Sequence, residues 1–430
     1  MTVTTQAEYP PRLMTSEPGS FARRTIVEGK PHNVHQAIED NDYPPDIVHA
    51  LEALAAELVS GPMRPLRERT PGAGNWELWN RELVAYRGKT WLEVDWHFAE
   101  TYFYRRLLEA VRYFQPGLWQ KHDPFGRQKR TLAASAVVHL STEWGPLIPA
   151  TGFASDGADT LFEPLLHACL WGNRADLSNY DLALQDVQSA GKEGERARQG
   201  QEEQHNLLID HTHAVRSWLA SRTATGQPSP RIDVINDNVG LDLLFDLVLA
   251  DFMLAQDQAR QVVFHVKAHP FFVSDAMPKD VWATVALVQE APHPSIRAMG
   301  ARLRGHLDAG RLILRDDPLW TSCLTFRDLF CTHRPRAGRA SSSLRAELGR
   351  SDLIILKGDL NYRRLLDDRR WPHTTPLAEA AAYFPAPFLV LRTLKGEIMV
   401  GLEPGQAEAL DAQDPDWLTN GQRGIIHWIA

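Results

Sequence analysis

Residues 231–254 read RIDVINDNVGLDLLFDLVLADFML. The run 232–235 meets three polar residues, Asn236, Asp237 and Asn238, and Gly240 then leads into an almost wholly apolar segment that ends at Asp251 and Phe252. A short β-branched run, a polar loop and a long apolar segment predict a buried strand, a loop bearing an acid and an amide, and a buried helix. In an open α/β sheet such a loop lies at the carboxyl end of its strand, where ligands bind. The same two side chains also suit a plain helix cap, since Asp and Asn accept hydrogen bonds from the free amides of a first helical turn.

Beyond this unit, β-branched runs at 261–266, 312–314, 353–356 and 388–391 alternate with helical patterns at 278–290, 294–306, 341–348 and 377–383, and residues 424–429 read as a terminal strand. That alternation predicts an α/β fold with a mostly parallel, Rossmann-like sheet covered by helices. No GxGxxG fingerprint, P-loop or internal repeat is present. Upstream, Ile47, Val48, Leu51, Leu54, Ala55 and Leu58 recur at helical spacing, and the aromatic-rich stretch 76–114 is helix-prone, so an all-helical amino-terminal region is expected. The predicted organisation is an extended arm over 1–45, a mainly helical region over 46–205 and an α/β region over 206–430, with the polar stretch 190–205 at the boundary. The Gly/Ala/Ser-rich segment 132–159 carries no assignment.

Bulk properties narrow the function. The chain has 430 residues, 43% of them hydrophobic, enough for a substantial core. Its formal charge of −8 is spread along the sequence without a dense Lys/Arg block, which argues against nucleic acid as a partner. Its three cysteines form no CxxC pair, as expected for a reducing compartment. No apolar run approaches a membrane span and the first residues lack a signal-peptide pattern, so a cytoplasmic protein with no membrane partner is expected. Nothing calls for an obligate protein partner.

Residues of site chemistry follow four of the five apolar runs: Asp237 and Asn238; Lys267, His269 and Asp275 in KAHPFFVSD; Lys357 to Arg363 in KGDLNYRR; and Arg392 to Lys395 in RTLK. Parallel strands would bring them to one edge of the sheet. Capping accounts for acids at strand ends, but not for cations gathered beside them. Carboxylate and amide oxygens without a Cys or His cluster favour a hard or borderline divalent ion, Mg²⁺ or Mn²⁺, and such a site with Lys and Arg alongside suits a phosphoryl group. Earlier in the chain WHFAETYFYRRL places Glu100 and Tyr104 one turn apart with Arg105 and Arg106 beyond, and Glu100 with Arg105 is expected to close the site from the helical side.

VINDNVG, FVSD, KGDLNYRRL and RTLK together resemble the metal-dependent damage-control phosphatase family, also called the acidic-residue-methyltransferase-like metal-binding domain. RTLK is similar to the RTxK signature of its third subfamily, and WHFAETYFYRRL and LWGNRADLS resemble that subfamily's earlier segments. The resemblance implies an α/β/α sandwich behind a helical amino-terminal region, and phosphatase activity with Mn²⁺, Co²⁺, Ni²⁺ or Mg²⁺ on sugar phosphates such as fructose 1-phosphate or fructose 6-phosphate. By that resemblance Asp237, Asn238 and Asp275 are the catalytic metal ligands. Asp359, Leu360, Asn361, Tyr362, Arg363 and Lys395, joined by Lys357, Glu100, Arg105 and Asn173, hold the small phosphorylated metabolite, with Asp242 and Arg392 as supports. Asp237 is either a ligand only or also attacks or positions water. Asp242 stands where the family usually has a Glu. Two alternatives stay open: an S-adenosylmethionine-dependent carboxyl methyltransferase, and a non-catalytic sugar-phosphate sensor.

Overall fold

The computed structural model describes residues 9–67, 70, 75–153, 158–172, 204–331 and 340–430. Seven strands form one sheet: β1 Leu207–Asp210, β2 Arg231–Ile235, β3 Gln261–His265, β4 Leu312–Arg315, β5 Leu353–Lys357, β6 Phe388–Thr393 and β7 Gly424–Ile429. Their order is β1-β7-β6-β5-β2-β3-β4, with every pair parallel except β6 and β7. Every residue of β5 and β6 is buried. Because successive side chains point to opposite faces, that burial means both faces of the sheet are covered. The chain is therefore α/β with a mostly parallel sheet, as its alternating pattern predicts. β1 corrects the sequence reading, which takes 206–221 as one helix: Leu207, Leu208 and Ile209 form a run too short to separate strand from helix by periodicity, and it is strand because β7 offers it a parallel partner, the helix starting only at Thr212.

Strand order reverses between β2 and β5. From β2 the sheet grows through β3 to β4 in one direction, and from β5 to β6 in the other. A crevice opens at the carboxyl ends of strands at such a switch point. The stretch 231–254 thus supplies one lip of the crevice, and the loop after β5 supplies the other.

Behind the first lip, the Leu241–Ala255 helix is buried from Asp242 through Leu254. It packs against the Gly126–Glu143, Phe162–Trp171 and Pro294–Asp308 helices, so helices from the amino-terminal half cover the sheet's central helix directly. The segment 132–159, unassigned from sequence, supplies part of one of them. The extended arm expected over 1–45 is instead helical at Phe21–Arg24, Thr25–Gly29 and Lys30–Glu39, the middle piece being a π-helical turn. Buried Ala22, Ile26, Val34 and Ala37 anchor these turns in the core, and packing of that kind overrides the breaking tendency of Gly29 and Pro31. The expected boundary segment 190–205 lies almost wholly outside the described residues.

One charge lies inside the strand that sequence reads as apolar. Asp233 of β2 is fully buried and accepts from Arg231 Nε and Nη2 at 2.8 and 2.7 Å, from Ser351 Oγ at 2.5 Å, and pairs with His265 Nε2 at 2.8 Å. Burial pushes its carboxyl up, but the hydrogen bonds from Arg231 and His265 outweigh that and bring it down to about 2. A depressed carboxylate stabilises the fold above its unfolded value of about 3.9, and that contribution is lost as pH falls through the folded value. Asp233→Ala, which also takes from the buried His265 imidazole its carboxylate partner, is expected to cost about 3 kcal/mol at neutral pH by urea unfolding, with the gap to the unmodified chain narrowing below about pH 4.

Candidate active site

A cleft of about 560 Å³ opens over the junction of β2 and β5, lined by Asp237, Asn238, Asp275, Asp359, Leu360, Arg363 and Lys395 together with Glu100 and residues of the amino-terminal helices. Its first corner is made by two loops. Asn238 and Asp275 form an isolated antiparallel bridge, flanked by Val239 N–H to Ser274 O and Ala276 N–H to Asp237 O, both 2.8 Å. Within it Asn238 Nδ2 donates to Asp237 Oδ2 at 2.9 Å, and Ser274 Oγ donates to Asn238 Oδ1 at 2.7 Å. Asp275 lies 3.1 Å from Lys267 Nζ, and its backbone oxygen accepts from buried Lys129 Nζ at 2.8 Å.

This corner suits a divalent cation. Two carboxylates and an amide, all oxygen donors, meet on one wall, the donor set that hard cations prefer. No trio of His, Cys, Asp or Glu is grouped for a metal among the described residues, and the third oxygen donor on this wall is the amide of Asn238. Room for it is secured from β5: Gly358, at φ +79°, has no Cβ, and an added one would fall 1.9 Å from Asp237 Oδ2.

The GDLNYRR segment begins the Gly358–Leu365 helix, whose periodicity sorts its residues. Asp359, Leu360 and Arg363 face the cleft. Asn361 and Tyr362 do not line it, contrary to expectation: Asn361 Nδ2 donates to Ile235 O and Lys357 O at 3.3 and 2.8 Å, tying β2 to β5, while Tyr362 Oη accepts from Val400 N. Arg392 is a strut outside the cleft lining. It donates to Asp359 Oδ1 at 2.8 Å and to the carbonyls of Gly396 and Ile398, which fixes the loop carrying Lys395.

Lys357 is the largest departure. Rather than reaching the cleft it is fully buried, with Nζ 2.6 Å from Asp242, 2.5 Å from Asp246 and 2.8 Å from Cys169 O. Burial opposes its charge, but the two carboxylates outweigh burial and hold its pKa above the usual lysine value. Asp242 in turn accepts from Asn238 N–H at 3.0 Å, so both residues lie beneath the corner rather than in it.

From the helical side, Trp96, Glu100 and Tyr104 recur every fourth residue of the Trp96–Ala110 helix and line the cleft together. Arg105, one position on, points elsewhere: it is fully buried with its guanidinium 4.5 Å from the Phe114 ring centroid. The role expected of it falls to Lys30, whose Nζ is 2.6 Å from Glu100 Oε1, while Arg363 Nη1 reaches Glu100 Oε2 at 2.6 Å. Burial pushes the Glu100 carboxyl up, but the charges of Lys30 and Arg363 outweigh it and hold the pKa below the usual value. Sequence reading missed Lys30, Asn33 and Phe272; for the first two the signal at hand was the apolar spacing of Val34, Ala37 and Ile38 just downstream, while Phe272 lies within KAHPFFVSD beside Asp275. Asn173 lies outside the described residues.

Gly358→Ala is expected to strain a left-handed backbone position by roughly 1–3 kcal/mol and to displace Asp237. Thermal melting with and without Mn²⁺ checks this: a lower midpoint and loss of any Mn²⁺-induced rise are expected, and a full Mn²⁺ response would contradict the corner as a cation site.

Comparison with known proteins identifies the family of the chain. The family model described as the damage-control phosphatase ARMT1-like domain matches residues 25–410. Proteins named Damage-control phosphatase ARMT1 are similar along nearly their whole length: that of Danio rerio is 31% identical, covering 98% of this chain and 97% of its own, and that of Mus musculus is 31% identical, covering 98% and 99%. A DUF89 family protein of solved structure from Pyrococcus horikoshii shows 15% identity at a TM-score of 0.46, over 95% of this chain and 97% of that one. Matched across most of its length, from the amino-terminal helices through the loop that carries Lys395, the chain belongs to the damage-control phosphatase ARMT1-like domain family.

Proposed function

We propose that this chain is a divalent-metal-dependent phosphatase of small phosphorylated metabolites, and that its substrates are sugar phosphates such as fructose 1-phosphate or fructose 6-phosphate. The observation that carries the reading is the convergence of three oxygen donors, Asp237, Asn238 and Asp275, with the cationic Lys395 and Arg363 in one cleft at the sheet's switch point. Membership of a damage-control phosphatase family supports it. Asp237, Asn238 and Asp275 would hold Mg²⁺, Mn²⁺, Co²⁺ or Ni²⁺, and a bound ion of this class supplies Lewis-acid polarisation of a phosphoryl oxygen and a more acidic water.

The chain's own residues account for the rest. Lys395, held on its loop by Arg392 and Asp359, neutralises phosphoryl oxygens as charge builds on the leaving group. Arg363, fixed between Glu100 and Asp368 and lying 3.4 Å over the Trp96 ring, presents a preorganised guanidinium. Because these groups are paired before substrate arrives, little reorganisation is needed at the moment of reaction.

Carboxyl methyl transfer is the weaker reading. It would call on a donor pocket near Asp242 and Asp275; Asp275 lines the cleft, but Asp242 is 1% exposed, engaged by Lys357 and the Asn238 amide, and not part of the cleft wall. Among the described residues no helix is long and apolar enough to cross a membrane.

Asp237→Asn keeps the shape of the corner while removing a charge. It is expected to lower metal-stimulated release of phosphate from a sugar-phosphate panel about 100-fold or more, with the melting midpoint little changed. Chelation should abolish the activity of the unmodified chain and added Mn²⁺ restore it. Undiminished turnover by the variant would remove Asp237 from the site.

A further inference from the structure

The cleft is larger than a phosphoryl group fills, falling within the roughly 300–1,000 Å³ of small-molecule sites, and much of its remaining wall comes from the amino-terminal segment Phe21–Asn33. That segment includes the π-helical turn Thr25–Gly29, a form that recurs at functional sites. The turn is docked rather than loose: Trp96 Nε1 donates to Thr25 Oγ1 at 2.8 Å, and the other face of the array is closed by Arg363 over the same indole. Directly after the turn come Lys30 and Asn33, each 6% exposed and each on the cleft wall.

Their surroundings have a distinct chemistry. Lys30 Nζ donates to Glu100 at 2.6 Å and to Tyr104 Oη at 3.3 Å, and Tyr104 Oη donates to Asn33 Oδ1 at 3.3 Å. Arg363 bridges Glu100 and Asp368. Lys30 and Arg363 are thus each already paired with carboxylates, so the array is not a bare cationic pocket for a second phosphate. The array instead alternates donors and acceptors with capacity to spare, since an ammonium has three donors and a carboxylate about four acceptor sites. Beside it lie apolar faces: the Tyr104 and Phe272 rings are 4.7 Å apart at 30°, and Lys30 Nζ is 5.3 Å from the Phe272 centroid. Alternating polar groups next to aromatic faces complement vicinal hydroxyls on a carbon chain, each hydroxyl being donor and acceptor at once.

We propose that Lys30 and Asn33 are specificity-determining residues. With Glu100, Arg363 and Tyr104 they form the subsite for the hydroxyl-bearing skeleton of a sugar monophosphate whose phosphoryl group occupies the corner of Asp237, Asn238 and Asp275. This inference rests on the phosphatase reading and adds to it the group that distinguishes a sugar phosphate from a bare phosphate. A site built around buried polar groups discriminates strongly, because an occupant lacking the hydroxyls leaves them unpaired.

The test compares two constants in the full-length, Mn²⁺-loaded chain: KM for fructose 6-phosphate and the inhibition constant of inorganic phosphate, which has no carbon skeleton. In Lys30→Met and Asn33→Ala, KM should rise about tenfold or more while the inhibition constant stays within about threefold, and kcat should fall less than KM rises. Lys30→Arg, which keeps charge and donors, should recover most of the loss. Should Lys30→Met fail to fold, Asn33→Ala, which leaves the Lys30–Glu100 pair intact, carries the measurement. Equal changes in both constants would show that these residues serve the phosphate or the fold, and unchanged KM in both variants would show that they touch nothing in the substrate; either overturns the proposal. Absence of sugar-phosphate hydrolysis by the unmodified chain under every metal would instead overturn the phosphatase reading itself.

Discussion

A single buried ammonium organises the centre of this protein. Lys357 ends β5 with no exposure to solvent, and its charge is tolerable only because Asp242 and Asp246 come to it from the helix that follows β2. Burial, with Asp242 close by, pushes the Asp246 carboxyl up to about 6 against the pull of Lys357. Removing one partner from such a group leaves an uncompensated charge, typically about 3–5 kcal/mol of destabilisation, so strand and helix are held in register by electrostatic necessity. Everything above inherits that register. Asp242, anchored from below, takes the amide of Asn238, and Asn361, one turn beyond Lys357, ties down the end of β2. The two lips of the crevice are thus fixed to each other before any ligand is considered.

The helical layer is joined to this centre by a second charged array. Glu100 receives Lys30 from the amino terminus and Arg363 from the helix after β5, so one carboxylate links three regions far apart in sequence. Neither array is exposed enough to be weakened by solvent screening, which distinguishes both from the Arg304–Asp308 pair on the surface.

Much of this was legible in the chain, and the failures follow a pattern. Strand and helix alternation after residue 230 is a periodic signal with an unambiguous topological consequence, and the grouping of Asp237, Asn238, Asp275 and Lys395 followed from it because parallel strands share an edge. The direction of a side chain within an element is harder. Lys357 and Asp359 are two residues apart, and which of them turns inward depends on carboxylates at 242 and 246 that lie more than a hundred positions earlier. Spacing by four could have separated Glu100 and Tyr104 from Arg105, since the first two share a helical face with Trp96 and Arg105 does not. Lys30 was hidden for a different reason: Gly29 and Pro31 on either side are local signs of a break, and only tertiary packing of Ile26 and Val34 makes that segment helical. Asp233 was likewise invisible inside an apolar run, because its partners His265, in β3, and Ser351, just before β5, are distant in sequence.

The clasp between Asn238 and Asp275 bears on how the corner would choose its occupant. Main-chain hydrogen bonds on both sides of the bridge, continued by Lys267 N–H to Ala276 O, set the separation of the three oxygen donors during folding. The ordering entropy is therefore spent before any ion arrives, and the backbone has little freedom to expand around a larger one. A stiff corner offering three protein oxygen donors would favour small ions that keep part of their hydration shell over Ca²⁺, which gathers six to eight oxygens by flexing its cage. Ion choice at such a corner would be a mechanical property of two bridged loops as much as a chemical property of their side chains.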